Sequence, residues 1–258
     1  MKLLSIVLVL SSVVSCNLVP TADVMPAYGT YSISGGIGAT SGGGTAISQS
    51  LSSLGIGGSQ EGFAGRIAVE WLNFQLAVSG FEADYSGTGT TTAEISFEDE
   101  VITADTDVNS ALDLRYLNGT LTWDLIPTDL VDIGVGIGVA ALDLDLEATS
   151  TVGAQSVSVD EVIPLPELAL RASANLGLVG VFGTVGWISG EYQDFDGRLL
   201  DIDLHGRVRI VGSGDRLVGH LAAGYRYVDT EFEFDDGDDR ISTDLQLDGP
   251  YVGFNVSF

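Results

Sequence analysis

Apolar and polar residues alternate with a period of two along most of the chain, and no segment spaces its apolar residues as a helix would. The alternation predicts strands at Ala27 to Ala39, Gly62 to Trp71, Phe74 to Tyr85, Ala111 to Leu125, Val131 to Glu147, Val162 to Leu176, Val179 to Tyr192, Leu199 to Val211, Leu217 to Phe234 and Ile241 to Phe258. Short connections at Leu72-Asn73, Ile126 to Leu130, Gly177-Leu178 and Gly212 to Arg216 interleave with longer polar ones. The Gly- and Ser-rich stretch from Thr40 to Gln60 reads as a mobile loop. An even number of strands joined by alternating short turns and long loops predicts an all-β fold, an antiparallel up-and-down transmembrane β-barrel over residues 27 to 258. Ten strands are expected. Eight is the alternative, if the Thr40 to Gln60 loop pairs differently or the first strand does not close the ring.

The strands exceed the roughly 9 to 11 residues that a tilted strand needs to cross a bilayer, and their two faces exchange character partway. From Val131, one face runs Val131, Ile133, Val135, Ile137, Val139 and then Asp143, Asp145, Glu147. The opposite face runs from Asp132, Gly134, Gly136 and Gly138 to Leu142, Leu144 and Leu146. The strands from Leu217 and to Phe258 repeat the exchange, with Asp229, Glu231 and Glu233 above Tyr227, and Asp248 and Asp244 above Val252. A charge facing lipid at mid-bilayer costs about 2 to 4 kcal/mol for Lys or Arg and less for Asp or Glu. The acidic positions therefore belong above the hydrocarbon, on the outer wall of a barrel that projects into external water. A soluble barrel has no reason to switch its outer face at one height.

With this assignment Arg66, Glu70, Asp124, Asp132, Glu167, Arg171, His205, Arg207, Arg209, His220 and Arg226 point into the lumen within the membrane zone. Buried charges need partners, so they are expected to form a hydrogen-bonded ion-pair network. The inward glycines at 134, 136 and 138 make room for long side chains. A barrel of this size leaves no wide aqueous pore. The upper interior collects Phe81, Tyr85, Leu112, Leu114, Tyr116, Leu142, Leu144, Leu146, Phe232, Phe234, Leu245 and Leu247, either as a packed core or as a hydrophobic pocket for a small apolar ligand.

The chain begins MKLLSIVLVLSSVVSC, a secretory signal over residues 1 to 15 whose apolar run is too short to span a bilayer as a helix. Val13-Val14-Ser15-Cys16 resembles a relaxed lipobox, which makes Cys16, the single cysteine, a candidate for lipidation. Residues 16 to 26 then form a periplasmic linker. With one cysteine no intrachain disulfide exists. A net charge of -26 accompanies a positive mean hydropathy of +0.30, a pairing that fits acidic and apolar residues segregated in space. With no Lys beyond Lys2 and nine Arg, a basic surface for nucleic acid is excluded. Divalent cations are the expected surface partners, bridging the acidic wall to lipopolysaccharide. The acid runs Glu98-Asp99-Glu100 and Asp235-Asp236-Gly237-Asp238-Asp239 fall in expected external loops and lack the spacing of an EF-hand.

The last eight residues, YVGFNVSF, place Val252, Phe254, Val256 and Phe258 on one face. This ending resembles the assembly signal of bacterial outer-membrane β-barrels, carried by Tyr251, Phe254, Val256 and Phe258. The architecture, with the closing DGPYVGF, resembles the small outer-membrane barrels to which OmpA's membrane domain, OmpX and OmpW belong. The resemblance implies an outer-membrane location and contact with lipid, lipopolysaccharide and the barrel-assembly machinery. It also implies passage or binding of small hydrophobic molecules as one alternative role. Asp203-Leu204-His205 resembles the Asp-x-His pair of omptin proteases, but the second acidic pair would be Glu82 and Asp84, which point outward in this register. No phosphate loop, zinc spacing or cofactor motif is present. The chain therefore reads as a non-enzymatic envelope protein with a plugged polar lumen, the other alternative being a soluble periplasmic acidic β-lipoprotein.

Overall fold

A computed structural model describes residues 20–40, 49–92, 95–97, 100–128, 130–152, 155–192, 195–212, 217–236 and 239–258. Ten long strands form the wall: β1 (Thr21–Thr40), β2 (Gly58–Trp71), β3 (Phe74–Thr90), β4 (Asp107–Pro127), β5 (Val131–Ser150), β6 (Ser156–Asn175), β7 (Val179–Tyr192), β8 (Phe195–Val211), β9 (Val218–Asp236) and β10 (Asp239–Ser257). Each pairs antiparallel with its sequence neighbours, and β1 pairs with β10 from Asp23–Ser257 to Thr40–Arg240, closing a ring of ten. Ten strands, not eight, are therefore present. Short turns gather at one end with the two ends of the ring, and the longer connections gather at the other. These are called here the turn end and the loop end.

Most strands reach further than the alternation indicates, chiefly at the loop end. Ladder hydrogen bonds join backbone to backbone, so a polar, non-alternating stretch continues a strand whenever both neighbours are in place. Thr21 to Pro26, expected as part of the linker, pairs with Glu70 to Gly65 and belongs to the wall. Asp235 pairs with Arg240 and Asp236 with Asp239, so the acid run there is strand rather than open loop, with 237 and 238 outside the described residues. Glu100 opens a short strand, whereas Glu98 and Asp99 lie outside the described residues, as do the signal segment and Cys16.

The outer face carries an apolar band. Ile137, Val252, Leu221 and Leu121 are exposed on it, between aromatic rows of Trp71, Phe74, Trp123 and Phe258 at the turn end and Tyr28, Phe63, Trp187 and Tyr225 towards the loop end. Above the band the wall turns acidic, with Glu82, Asp145, Glu147, Glu231 and Asp244 exposed, while Leu112, Leu144, Phe232, Leu245 and Leu247 are buried inside. The exchange of faces inferred from alternation is thus a property of the folded wall.

One expectation fails at the loop end. Gln49–Ser50 pairs with β1 at Ile37 and Gly36, and the turn that follows buries Leu51, Leu54 and Ile56 to 0%, 1% and 1% exposure. The Ser53 carbonyl accepts from the Thr90 amide at 2.7 Å, where β2 and β3 part above Ala64–Phe81. Residues 49–57 are therefore docked rather than mobile, and 41–48 lie outside the described residues. Three apolar side chains in a Gly- and Ser-rich stretch are enough to seat it over the apolar interior. A hairpin of Ile95–Phe97 and Glu100–Ile102 adds the fully buried Ile102.

Burying Leu54 in this cap predicts that Leu54→Ala destabilises the protein by about 2 to 5 kcal/mol in reversible urea unfolding. A change below about 0.5 kcal/mol, the range of ordinary surface substitutions, would show that the cap is undocked in solution.

Candidate functional site

The polar interior is built by alternation. Each strand sends every second side chain inward, so charged residues distant in sequence meet in the bore. They settle in two tiers. In the tier towards the turn end, Arg171 on β6 is buried to 1% exposure and donates from Nη1 to Asp132 Oδ2 on β5 at 2.6 Å. Its Nη2 donates to Asp124 on β4, its Nε to Thr122 at 3.4 Å, and Glu70 of β2 lies 3.7 Å away. Gln75 links Glu70 to Arg66, donating to the former at 2.5 Å and accepting from the latter at 2.9 Å. Arg66 in turn lies 4.2 Å from the centroid of the Phe182 ring. Three other strands thus converge on one guanidinium of β6, which a planar fork of donors is suited to hold together.

The second tier centres on Arg226 of β9. It grips Asp201 of β8 with two hydrogen bonds, Nη2 to Oδ2 at 2.6 Å and Nε to Oδ1 at 3.1 Å. Across the bore, Nη1 donates to Ser79 of β3 at 3.0 Å. Tyr116 and Asn118 of β4 each donate to Asp201 Oδ2 at 2.8 Å, and Asn118 also donates to Glu167 Oε1 at 2.9 Å. Asp203 accepts from Tyr251 at 2.5 Å, and the Tyr251 hydroxyl lies 3.2 Å from His205 Nδ1, whose ring stacks on Phe182. Nearest the turn end, Arg207 donates to Asn175 at 2.8 Å, and Ser257 donates to Asp23 at 2.5 Å.

The glycines on β5 hold the side chains that need their space. A Cβ at Gly138 would stand 2.7 Å from Glu167 Oε1, and one at Gly134 would stand 3.4 Å from Arg171 Nη2. All eleven expected lumen residues are inward. Arg209 is inward too, though its Nε has no partner among the described residues, nor has His220 Nδ1.

Sequence reasoning did not assign Asp201, Asp203, Gln75, Asn118 and Ser79 to this network. Asp201, Asp203, His205, Arg207 and Arg209 alternate on one face of β8, which was the available signal for the first two. Nothing local marks the neutral groups, because their partners lie on other strands. Tyr251, read as part of an assembly signal, is buried in the bore. His205 Nδ1 lies 3.9 Å from Asp203 Oδ1, both side chains are about 5% exposed, and Glu82 and Asp84 stand on the outer face.

Of the upper interior residues, eleven are buried in one apolar cluster with Leu51, Leu54, Ile56 and Ile102, and the Phe234 side chain lies outside those described. Tyr31, Phe81 and Tyr116 stack in sequence, with centroids 4.4 and 5.6 Å apart, and the Tyr85 hydroxyl donates to Tyr31 O at 3.0 Å. Tyr116 marks the boundary, its ring in the apolar cluster and its hydroxyl on Asp201. A depression of about 730 Å³ lies along the outer wall around Gly65 and Gly80, with Phe63, Ile67, Leu117 and Arg115 at its sides.

No protein-family model and no curated protein matches the chain. Among solved structures, the outer membrane protease OmpT from Escherichia coli is similar at a TM-score of 0.52 and 9% identity, over 92% of this chain and 97% of that one. The transport unit of the autotransporter AIDA-I from Escherichia coli gives 0.38 and 9%, over 92% and 90%. The translocator domain of the autotransporter NalP from Neisseria meningitidis gives 0.34 and 12%, over 96% and 94%. At such identities the likeness concerns architecture alone, and it rests on the first of the three. This chain has the fold of an outer-membrane β-barrel.

Proposed function

We propose that the chain is a non-enzymatic protein of the bacterial outer membrane whose barrel is closed to flow along its axis. The observation that carries this reading is the pair of closures in series. Arg226 bridges the bore from β9 to Ser79 on β3 and to the Tyr116 side of β4, and the docked 49–57 turn fills the mouth above. The apolar band faces lipid, the turn end faces the periplasm, and the acidic wall stands in external water. There divalent ions bridge it to lipopolysaccharide. The closing strand, ending in Phe254, Val256 and Phe258, presents the signal for the assembly machinery. The role is structural or surface-interacting, and the outer wall rather than the lumen meets its partners.

Spin labels at Ile137 and Asp145 of the reconstituted protein test the placement. The first is expected to sense lipid and the second water, and bulk-solvent accessibility at both would remove the membrane reading. Planar-bilayer recording tests the closure, with no steady conductance expected from the unaltered protein. Arg226→Ala leaves Asp201 and Asp203 buried without their cation, which predicts a loss of about 3 to 5 kcal/mol of stability together with brief openings. A large, steady channel in the unaltered barrel would overturn the plug.

A further inference from the structure

The wall is not equally closed on every side. β6 pairs with β5 along nearly its whole length, from Ala174–Val131 to Ser156–Thr149. Its other edge pairs with β7 only from Asn175–Gly180 to Leu168–Trp187. Above that rung β7 continues to pair with β8, as far as Tyr192–Phe195, yet has no ladder partner on β6.

The cause is in the sequence. In an antiparallel ladder, alternate residues turn their N–H and C=O to opposite neighbours. The Asn175 amide donates to Leu130 O at the start of β5, and the Leu176 amide donates to Val179 O on the β7 side. Even-numbered residues of β6 therefore face β7. Continuing the register beyond Leu168–Trp187, the next two hydrogen-bonded rungs would join residue 166 to Ser189 and residue 164 to Glu191, and both β6 positions are proline. Proline has no N–H to give, and within sheets it is confined largely to edges and strand starts. Two of them at consecutive hydrogen-bonding positions open a seam.

The height of the seam is informative. Pro166 lies opposite Val139 and Pro164 opposite Ala141, directly below Asp143, where the outer wall passes from aliphatic to acidic. Trp187 and Leu168 stand at its foot on the outer face. On the inner side Glu167 is buried to 3% exposure, and its Oε2 has no partner among the described residues. That oxygen sits against Gly186, at 2.0 Å from where a Cβ would be, immediately below the last rung. Higher on β7, a Cβ at Gly190 would meet nothing within 4 Å among the described residues.

We infer that this seam is a lateral binding site for a single-chain lipid with a neutral hydroxyl head, reached from the outer leaflet. The inference rests on the membrane placement proposed above. An alkyl chain is about as wide as the spacing of two strands, roughly 4.8 Å, so it can lie beside the upper part of β6 in the place that a ladder partner would take. Open backbone edges are not left facing hydrocarbon, and with no rung between residue 166 and Ser189 both the amide and the carbonyl of Ser189 face the seam. A hydroxyl both donates and accepts, so it can serve Glu167 Oε2 and a free backbone amide. An anionic head has no proton for Glu167 and meets Asp143 outside. On the inner side Leu165 belongs to the packed apolar cluster and Ile188 packs against it, which leaves the outer side for entry.

The test is equilibrium dialysis of the detergent-solubilised full barrel with decanol or decanoate at mildly alkaline pH, with unboiled SDS gels reporting folding. Saturable decanol binding is expected, with decanoate at least about tenfold weaker. In Pro164→Val/Pro166→Val the two rungs return, amide exchange at Ser189 slows, and decanol affinity falls by about tenfold or more. Glu167→Leu, which leaves the prolines in place, is expected to weaken decanol binding as well. No decanol binding by a barrel that runs folded overturns the site and leaves the membrane placement standing. Unchanged binding in the double variant despite a protected Ser189 amide overturns it too, as does equal binding of the two amphiphiles.

Discussion

A sheet whose outer face is aliphatic cannot leave its edges open, because an unpaired N–H or C=O in an apolar medium has no water to turn to. Ring closure is the answer to that constraint, and the rest of the structure follows from it. The two ends of the chain's ring meet through paired bonds, Ala22 N to Phe258 O at 2.8 Å and Phe258 N to Ala22 O at 2.9 Å. Once closed, the ring divides side chains into two populations by parity alone. Inward residues share a narrow bore and outward ones face the surroundings.

That division explains why the interior is charged where the exterior is apolar. An arginine inside the band has nowhere to go but the bore, and there its desolvation must be offset by carboxylates and hydrogen bonds. Arg171 and Arg226 each collect carboxylates and neutral groups from several strands, and glycines on β5 and β7 cede the volume that Arg171 and Glu167 occupy. Nearer the loop end the exterior is acidic, and the interior inverts to leucine and aromatic rings capped by residues 49–57. The two zones meet at Tyr116, whose ring belongs to one and whose hydroxyl belongs to the other.

The same constraint explains where it is relaxed. The missing rungs between β6 and β7 occur beside Pro164 and Pro166, at the upper margin of the apolar band, just below the height where the outer wall turns acidic. Lower in the band the same ladder is complete. A break in a β-ladder is thus placed by two residues.

Alternation by itself located the strands, the direction of nearly every side chain and the exchange of faces between Val139 and Asp143, because a period of two is written in consecutive residues, whereas ten strands rather than eight was decided by the pairing of β1 with β10. It also identified the arginines and histidines of the bore, since charge at an inward position is visible locally. Strand ends at Thr21 and Asp239, and the docking of Leu51, Leu54 and Ile56, were decided by the tertiary structure. They depend on neighbours brought from elsewhere in the chain, not on local pattern. The partners of Arg226 were decided there as well, because Ser79 and Tyr116 become its neighbours only when the sheet curls. Pro164 and Pro166 could be read as two outward residues in a strand. That their missing N–H groups face β7 and not β5 is a fact of register, and register exists only between strands.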